Sequence, residues 1–243
     1  MHLPPTFPVA GLLMSFLACA ADRWTDARAD PGQDRSAAAR DRMVTEQIAG
    51  RDVRDTAVLG ALREVPRHLF VPPGQVDQAY DDTPLPIGHG QTISQPYIVG
   101  LMTALARPAR TDRALEIGTG CGYQSAVLSR LVAHVYSVEI VEPLGIAARE
   151  RLARLGYANV TVRVGDGYQG WPEEAPFDIV LVTAAPESIP EALLAQLRPG
   201  GRLVIPVGPL HAQNLLLVEK DQAGRTRTTD VIPVRFVPMV KKD

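Results

Sequence analysis

The stretch "ALEIGTGCGYQSAVL", residues 114 to 128, constrains this chain more than any other. An apolar run of the kind that forms a buried strand enters Gly118, Gly120 and Gly122, and an apolar helical pattern starts immediately after them. Glycines there let backbone approach a ligand where a side chain would stand in the way, and the start of the next helix offers unpaired N–H groups. A crowded strand-to-helix turn also calls for glycine, so the loop taken alone leaves a purely structural role open.

The alternation continues on both sides of this loop. "RALEIG", "HVYSVEI", "VTVRVGD", "FDIVLVTA", "GRLVIPVG", "QNLLLVEK" and "DVIPVRFVPM" read as strands, while "YQSAVLSRLV", "EPLGIAARERLARLG" and "IPEALLAQL" read as helices between the earlier ones. The pattern predicts an α/β fold with a doubly wound, mostly parallel, seven-stranded Rossmann-like sheet whose last two strands form an antiparallel edge. A ligand is then expected at the carboxyl ends of the strands. Upstream, "SAAARDRMVTEQIAG" predicts a helix with Met43, Val44, Gln47 and Ile48 on one side, stopped by Gly50. "DTAVLGALREV" predicts a second, capped by Asp55, with Val58, Leu59, Leu62 and Val65 facing inward. The proline-rich residues 66–96 read as a long functional loop, in which residues 84–95, punctuated by Gly88 and Gly90, are expected to act as a lid. With 243 residues, one main domain is expected over 36–243: N-terminal helices and substrate loop at 36–105, and a Rossmann-like core at 106–243.

Spacing separates the candidate cofactors. A dinucleotide fingerprint is G-x-G-x-x-G, whereas here the order is G-x-G-x-G followed by Tyr123, which weakens the reading of an NAD-dependent oxidoreductase. Glu139 ends the next strand 21 positions after Gly118, where a carboxylate accepts both hydroxyls of an adenosine ribose. Asp166, after the third strand, is placed to accept from an adenine amino group. Glycine, glutamate and aspartate at three successive strand ends suit S-adenosylmethionine.

Other classes find less support. The formal net charge is -2 and no basic run marks a nucleic-acid or anionic-membrane surface. Cys19 and Cys121 lie in unrelated settings and the histidines are scattered, so no metal site is expected. "VAGLLMSFLACA", residues 9–20, resembles a signal-peptide core but is too short for a membrane span and lacks a positive flank. Residues 1–35 therefore read either as an export signal or as an unstructured leader or mis-assigned start.

Together "ALEIGTGCGYQSAVLSRL", "VYSVEI", "VGDGYQGWPEEAPFDIVLVTAA", "LRPGGRLVIPVG" and above all "YDDTPLPIGHGQTISQPYIVGLM" resemble the successive motifs of the protein-L-isoaspartate (D-aspartate) O-methyltransferases, over residues 36 to 238. The resemblance implies a class I methyltransferase fold with an N-terminal helical extension. It also implies S-adenosylmethionine held by Thr92, Ile93, Gly118, Thr119, Gly120, Gly122, Glu139, Asp166 and Gly167, and Ser94 as the active-site serine. Isoaspartyl proteins and peptides are the implied partners, with no nucleic acid, no stable membrane insertion, a monomeric state and a cytoplasmic location. An isoaspartyl carboxylate, with a pKa near ~4, is already ionised at neutral pH, so the reaction needs positioning and exclusion of water more than a general base. A hydroxyl donated by Ser94 to that carboxylate would serve. Ser94-Gln95-Pro96 also reads as a helix cap with proline in the first turn, and both roles can hold at once. Rival readings are a class I methyltransferase with another acceptor, and a cofactor-binding module without turnover.

Overall fold

The computed structural model describes residues 1–2 and 36–241; the apolar run at 9–20 and the linker to residue 35 lie outside them. Seven strands form one sheet in the order β5-β4-β3-β6-β7-β8-β9. They are β3 (Arg113–Ile117), β4 (His134–Glu139), β5 (Val160–Val164), β6 (Phe177–Val182), β7 (Leu197–Val207), β8 (Gln213–Lys220) and β9 (Thr226–Val234). β3 to β7 pair in parallel, and β8 and β9 add the antiparallel edge expected from sequence.

Both faces of the sheet are covered, which explains why its strands are apolar without interruption. Along β6, Ile179 and Leu181 pack into a core on one face, and Val180 and Val182 into a core on the other. The first core holds the N-terminal helices together with α3 (Pro96–Ala106), α4 (Tyr123–Ser129) and α5 (Glu142–Arg154); α6 (Glu191–Gln196) contributes Leu193 to the second. Chain order reverses direction at β3, with β4 on one side and β6 on the other, so a crevice opens at the carboxyl end of β3.

The N-terminal extension departs from expectation in detail. α1 (Ala37–Arg42) widens into a π-helical stretch, Met43–Ala49, which buries Met43, Val44 and Ile48. Gly50 stands at its C-cap, where only glycine fits, since a Cβ there would stand 2.4 Å from the Glu46 carbonyl oxygen. Asp55 caps α2 (Thr56–Glu64) as expected, accepting from the N–H groups of Ala57 and Val58. The proline-rich segment is built, not structureless. It carries 3-10 turns at Arg67–Phe70 and Pro73–Gln78 and an antiparallel hairpin of β1 (Leu85–Gly88) and β2 (Gln91–Ile93). Gly88, His89 and Gly90 all take positive φ at the hairpin tip.

The last strand is also shorter at its C-terminal end than the pattern of residues 230–239 suggests. β9 stops at Val234, and residues 235–239 leave the edge to lie against Ala185, which donates to the Val237 carbonyl at 2.9 Å and accepts from the Met239 N–H at 2.8 Å. Proline at 233 and 238 limits ladder bonding there.

A carboxylate sits at the centre of this apolar sheet. Glu116 on β3 is fully buried; its Oε2 accepts from Ser137 at 2.7 Å and from Ser125, while Oε1 has no partner. Burial pushes its carboxyl up to about 7 from an ordinary 4.5, against the opposing effect of the two serine hydroxyls. Between those values the folded protein holds a proton that the unfolded chain has released. Stability from this group is therefore greatest below the unfolded value and falls as pH rises towards 7. Glu116→Gln is expected to remove that slope, so that urea unfolding shows the variant gaining on the parent between about pH 5 and about pH 8, by up to ~3 kcal/mol. A constant difference across that range would contradict the shifted proton.

Candidate functional site

The loop after β3 is fixed by backbone geometry that only glycine adopts freely. Gly118 has φ +93, and a Cβ there would fall 2.3 Å from Thr183 Oγ1, whose hydroxyl donates to the Gly118 carbonyl at 2.7 Å. The Gly120 N–H, at φ +52, donates to Glu139 Oε2 at 2.7 Å. Gly122 stands at the N-cap of α4 with φ +90, and its N–H donates to the Thr119 carbonyl. Below the loop, Thr119 Oγ1 bonds Ser137 Oγ at 2.6 Å, which in turn reaches Glu116. Thr119 thus anchors the loop from beneath.

Glu139 is 5% exposed at the end of β4, and its second oxygen accepts from the Val141 N–H at 2.9 Å. It lines a cleft with Gly118, Gly120 and Gly167. A carboxylate has about four acceptor positions, so the two backbone bonds leave room for ligand hydroxyls. Asp166 caps the short turn Gly167–Gln169, accepting from the Tyr168 N–H at 2.9 Å. Gly167 lines the cleft, whereas Asp166 is not among the residues that line it. The opposite wall is Thr183, Ala184 and the C-terminal residues 237–240. Sequence reasoning missed that wall, because an apolar stretch with proline gives no sign of which distant backbone it will pair with.

A second cleft abuts the first and shares Thr92, Thr183 and Val237 with it; Ser94, Gln95, Arg235 and Phe236 also line it. A smaller pocket joins them, lined by Ile93, Ser94, Gly118, Thr119 and Gly120. The hairpin crosses above, with Ile87 Cδ1 3.2 Å from where a Cβ on Gly120 would stand.

The structure corrects one reading of Ser94. The N-cap of α3 is Gln95, at φ -50 and ψ 138, with Pro96 at the first helical position; neither Ser94 nor Gln95 caps the helix with its side chain, and the first-turn N–H of Tyr97 donates to Asp82 Oδ1 at 3.4 Å. Proline forces its predecessor into an extended conformation, so the cap falls one residue later than the sequence pattern suggested. The Ser94 hydroxyl makes no hydrogen bond among the described residues, while the Ser94 carbonyl accepts from Arg67 Nη2 at 2.8 Å. Arg67 escaped sequence reasoning because an arginine is ordinarily expected at the surface.

The arrangement fits an adenosyl group: the cleft floor is glycine backbone, and Glu139 supplies acceptors near it. Among the described residues lining these clefts, Glu139 is the only carboxylate. The site is thus suited to bind and align, with an uncommitted hydroxyl where the two clefts meet.

Comparison with known proteins converges. Residues 38–243 match the family model "Protein-L-isoaspartate(D-aspartate) O-methyltransferase (PCMT)". A protein-L-isoaspartate O-methyltransferase of Opitutus terrae is 56% identical over 203 residues, 84% of this chain and 87% of that protein. One from Methylorubrum extorquens is 53% identical over 219 residues, 90% of this chain and 95% of its own length. A solved protein-L-isoaspartate O-methyltransferase superposes with TM-score 0.75 at 30% identity, covering 82% of this chain and 65% of that one. A Plasmodium falciparum chain in complex with S-adenosyl-L-homocysteine shares the fold, with TM-score 0.72 at 24% identity, over 84% of this chain and 99% of its own.

Gly118→Ala tests the cradle. Strain at φ +93 and the clash with Thr183 are expected to displace the loop, and a resulting loss of about 1–3 kcal/mol of binding would lower affinity for S-adenosylhomocysteine by about fivefold to about 150-fold by calorimetry. Unchanged affinity would place the ligand elsewhere.

Proposed function

This chain belongs to the protein-L-isoaspartate (D-aspartate) O-methyltransferase family, and from that premise we propose how its two clefts divide the work. The enzyme transfers the methyl group of S-adenosylmethionine to the free carboxylate of L-isoaspartyl and D-aspartyl residues in damaged proteins and peptides, which initiates their repair. The first cleft takes the cofactor and the second the peptide, and the acceptor meets the methyl donor at the seam marked by Thr92 and Thr183.

When bound, the cofactor supplies an electrophilic methyl on a sulfonium. Gly118, Gly120 and Gly167 would let the backbone close on the adenosyl group and Glu139 would accept from its ribose, while Asp166, which caps the turn that carries Gly167, would accept from the adenine. Thr92 and Ile93 close the hairpin side, with Thr119 and Gly122 holding the loop from below and behind. Ser94 donates its hydroxyl to the acceptor carboxylate and so fixes the attacking oxygen. That carboxylate is ionised at neutral pH, with an ordinary pKa near ~4, and no proton has to be removed before attack. Alignment and exclusion of water supply the acceleration. The uncommitted hydroxyl of Ser94, in the pocket that joins the clefts, is the observation that carries this reading.

Residues 36–243 act as one unit, since residues as far apart as Met43 and Phe236 share a core. A formal charge of -2 favours protein over nucleic acid as acceptor. Among the described residues no helix is long and apolar enough to cross a membrane. A cytoplasmic location is the reading in keeping with a charged cofactor that does not pass a bilayer unaided.

Ser94→Ala is expected to lower kcat for an isoaspartyl peptide by roughly tenfold to a hundredfold. Its melting temperature should hold, because the serine does not cap α3. The parent should methylate the isoaspartyl peptide and leave its ordinary aspartyl twin unmodified. Normal turnover by the variant in a labelled-methyl assay would remove Ser94 from the chemistry.

A further inference from the structure

Arg67 is fully buried, yet no carboxylate contacts it among the described residues. Its Nε donates to the Ala79 carbonyl at 2.8 Å and its Nη2 to the Ser94 carbonyl at 2.8 Å. The guanidinium lies over the Tyr123 ring, 4.9 Å from the centroid, and Nη1 has no hydrogen-bond partner. Burial holds its pKa below the ordinary arginine value. A desolvated cation without a counter-ion is costly, and an apolar side chain of similar volume would serve stability better.

The geometry points to another use. Arg67 lies 12 residues before Ala79 and 27 before Ser94, and its planar fork holds both carbonyls in one fixed relation. Tyr123, under the same guanidinium, opens the helix that follows the glycine loop. One side chain therefore spans the segment that presents Ser94 and the helix that carries the cofactor loop. Its bond is to the carbonyl of Ser94, which leaves the hydroxyl unengaged.

We infer that Arg67 is a positioning residue for methyl transfer, clamping the Ser94 backbone so that the serine hydroxyl meets the acceptor carboxylate. The inference rests on the role of Ser94 given above. Arg67 lines neither cleft nor the pocket that joins them, and acts through Ser94.

Two substitutions in the full-length enzyme test it. Arg67→Lys keeps a charge but loses the fork; Arg67→Met keeps the volume and loses every donor. Each is made alone and together with Ser94→Ala, and kcat, KM for an isoaspartyl peptide, affinity for S-adenosylhomocysteine and melting temperature are measured. Displacement of Ser94 is expected to lower kcat by about tenfold or more, with cofactor affinity within about twofold of the parent. In the Ser94→Ala background the same substitutions should lower kcat by less than about twofold further, because the clamp then has nothing left to aim. If Arg67→Met does not fold, Arg67→Lys carries the comparison. An equal loss of kcat in both backgrounds, or an undiminished kcat in Arg67→Lys, overturns the inference while leaving Ser94 in place. Undiminished turnover in Ser94→Ala alone overturns the role of Ser94 and this inference with it.

Discussion

The hydrogen bond from the Gly120 N–H to the Glu139 carboxylate joins the ends of two adjacent parallel strands, and the ligand cleft depends on it. It needs Gly120 in a left-handed conformation, and it needs β4 to end level with β3 so that Glu139 faces the loop. Thr183, at the end of β6, fixes the loop from the other side by donating to the Gly118 carbonyl. Three strand ends thus hold a bare backbone floor open. The parallel sheet matters to function because it brings those ends to one edge.

Around that floor, the parts that differ most from a plain doubly wound sheet close the site. The hairpin lays Ile87 over Gly120, and the C-terminal residues 237–240 form the far wall after returning past Ala185. Both are far in sequence from the glycine loop. The chemistry asked of the site is modest: the acceptor arrives ionised, so the protein contributes alignment and dryness more than acid–base groups. A cleft whose described lining holds one carboxylate, engaged by two backbone N–H groups, agrees with that demand.

What could be read from sequence was local. Strand order of appearance, the glycine loop and the placement of Glu139 follow from apolar runs and from residues set immediately after them, and Asp55 follows from a short capping rule. The reading failed where distant contacts decide. The pattern Ser94-Gln95-Pro96 suggests a serine cap, but the steric demand of Pro96 on its predecessor puts the N-cap position at Gln95. Residues 235–239 look like strand and instead bridge to Ala185. The hairpin at residues 85–93 was hidden because its turn needs three positive-φ positions in a row, one of them His89. Arg67 and Glu116 carry charge-bearing groups into full burial, against the ordinary partition of such residues, and only three-dimensional neighbours explain them.

The most direct measurement is a crystal structure of the full-length chain with S-adenosylhomocysteine and an isoaspartyl peptide. The account requires ribose hydroxyls on Glu139, adenosyl backbone contacts along Gly118 to Gly120, and the isoaspartyl carboxylate within hydrogen-bond distance of Ser94 Oγ. An adenosyl group seated away from Glu139, or a carboxylate held by other groups with Ser94 facing solvent, would contradict it.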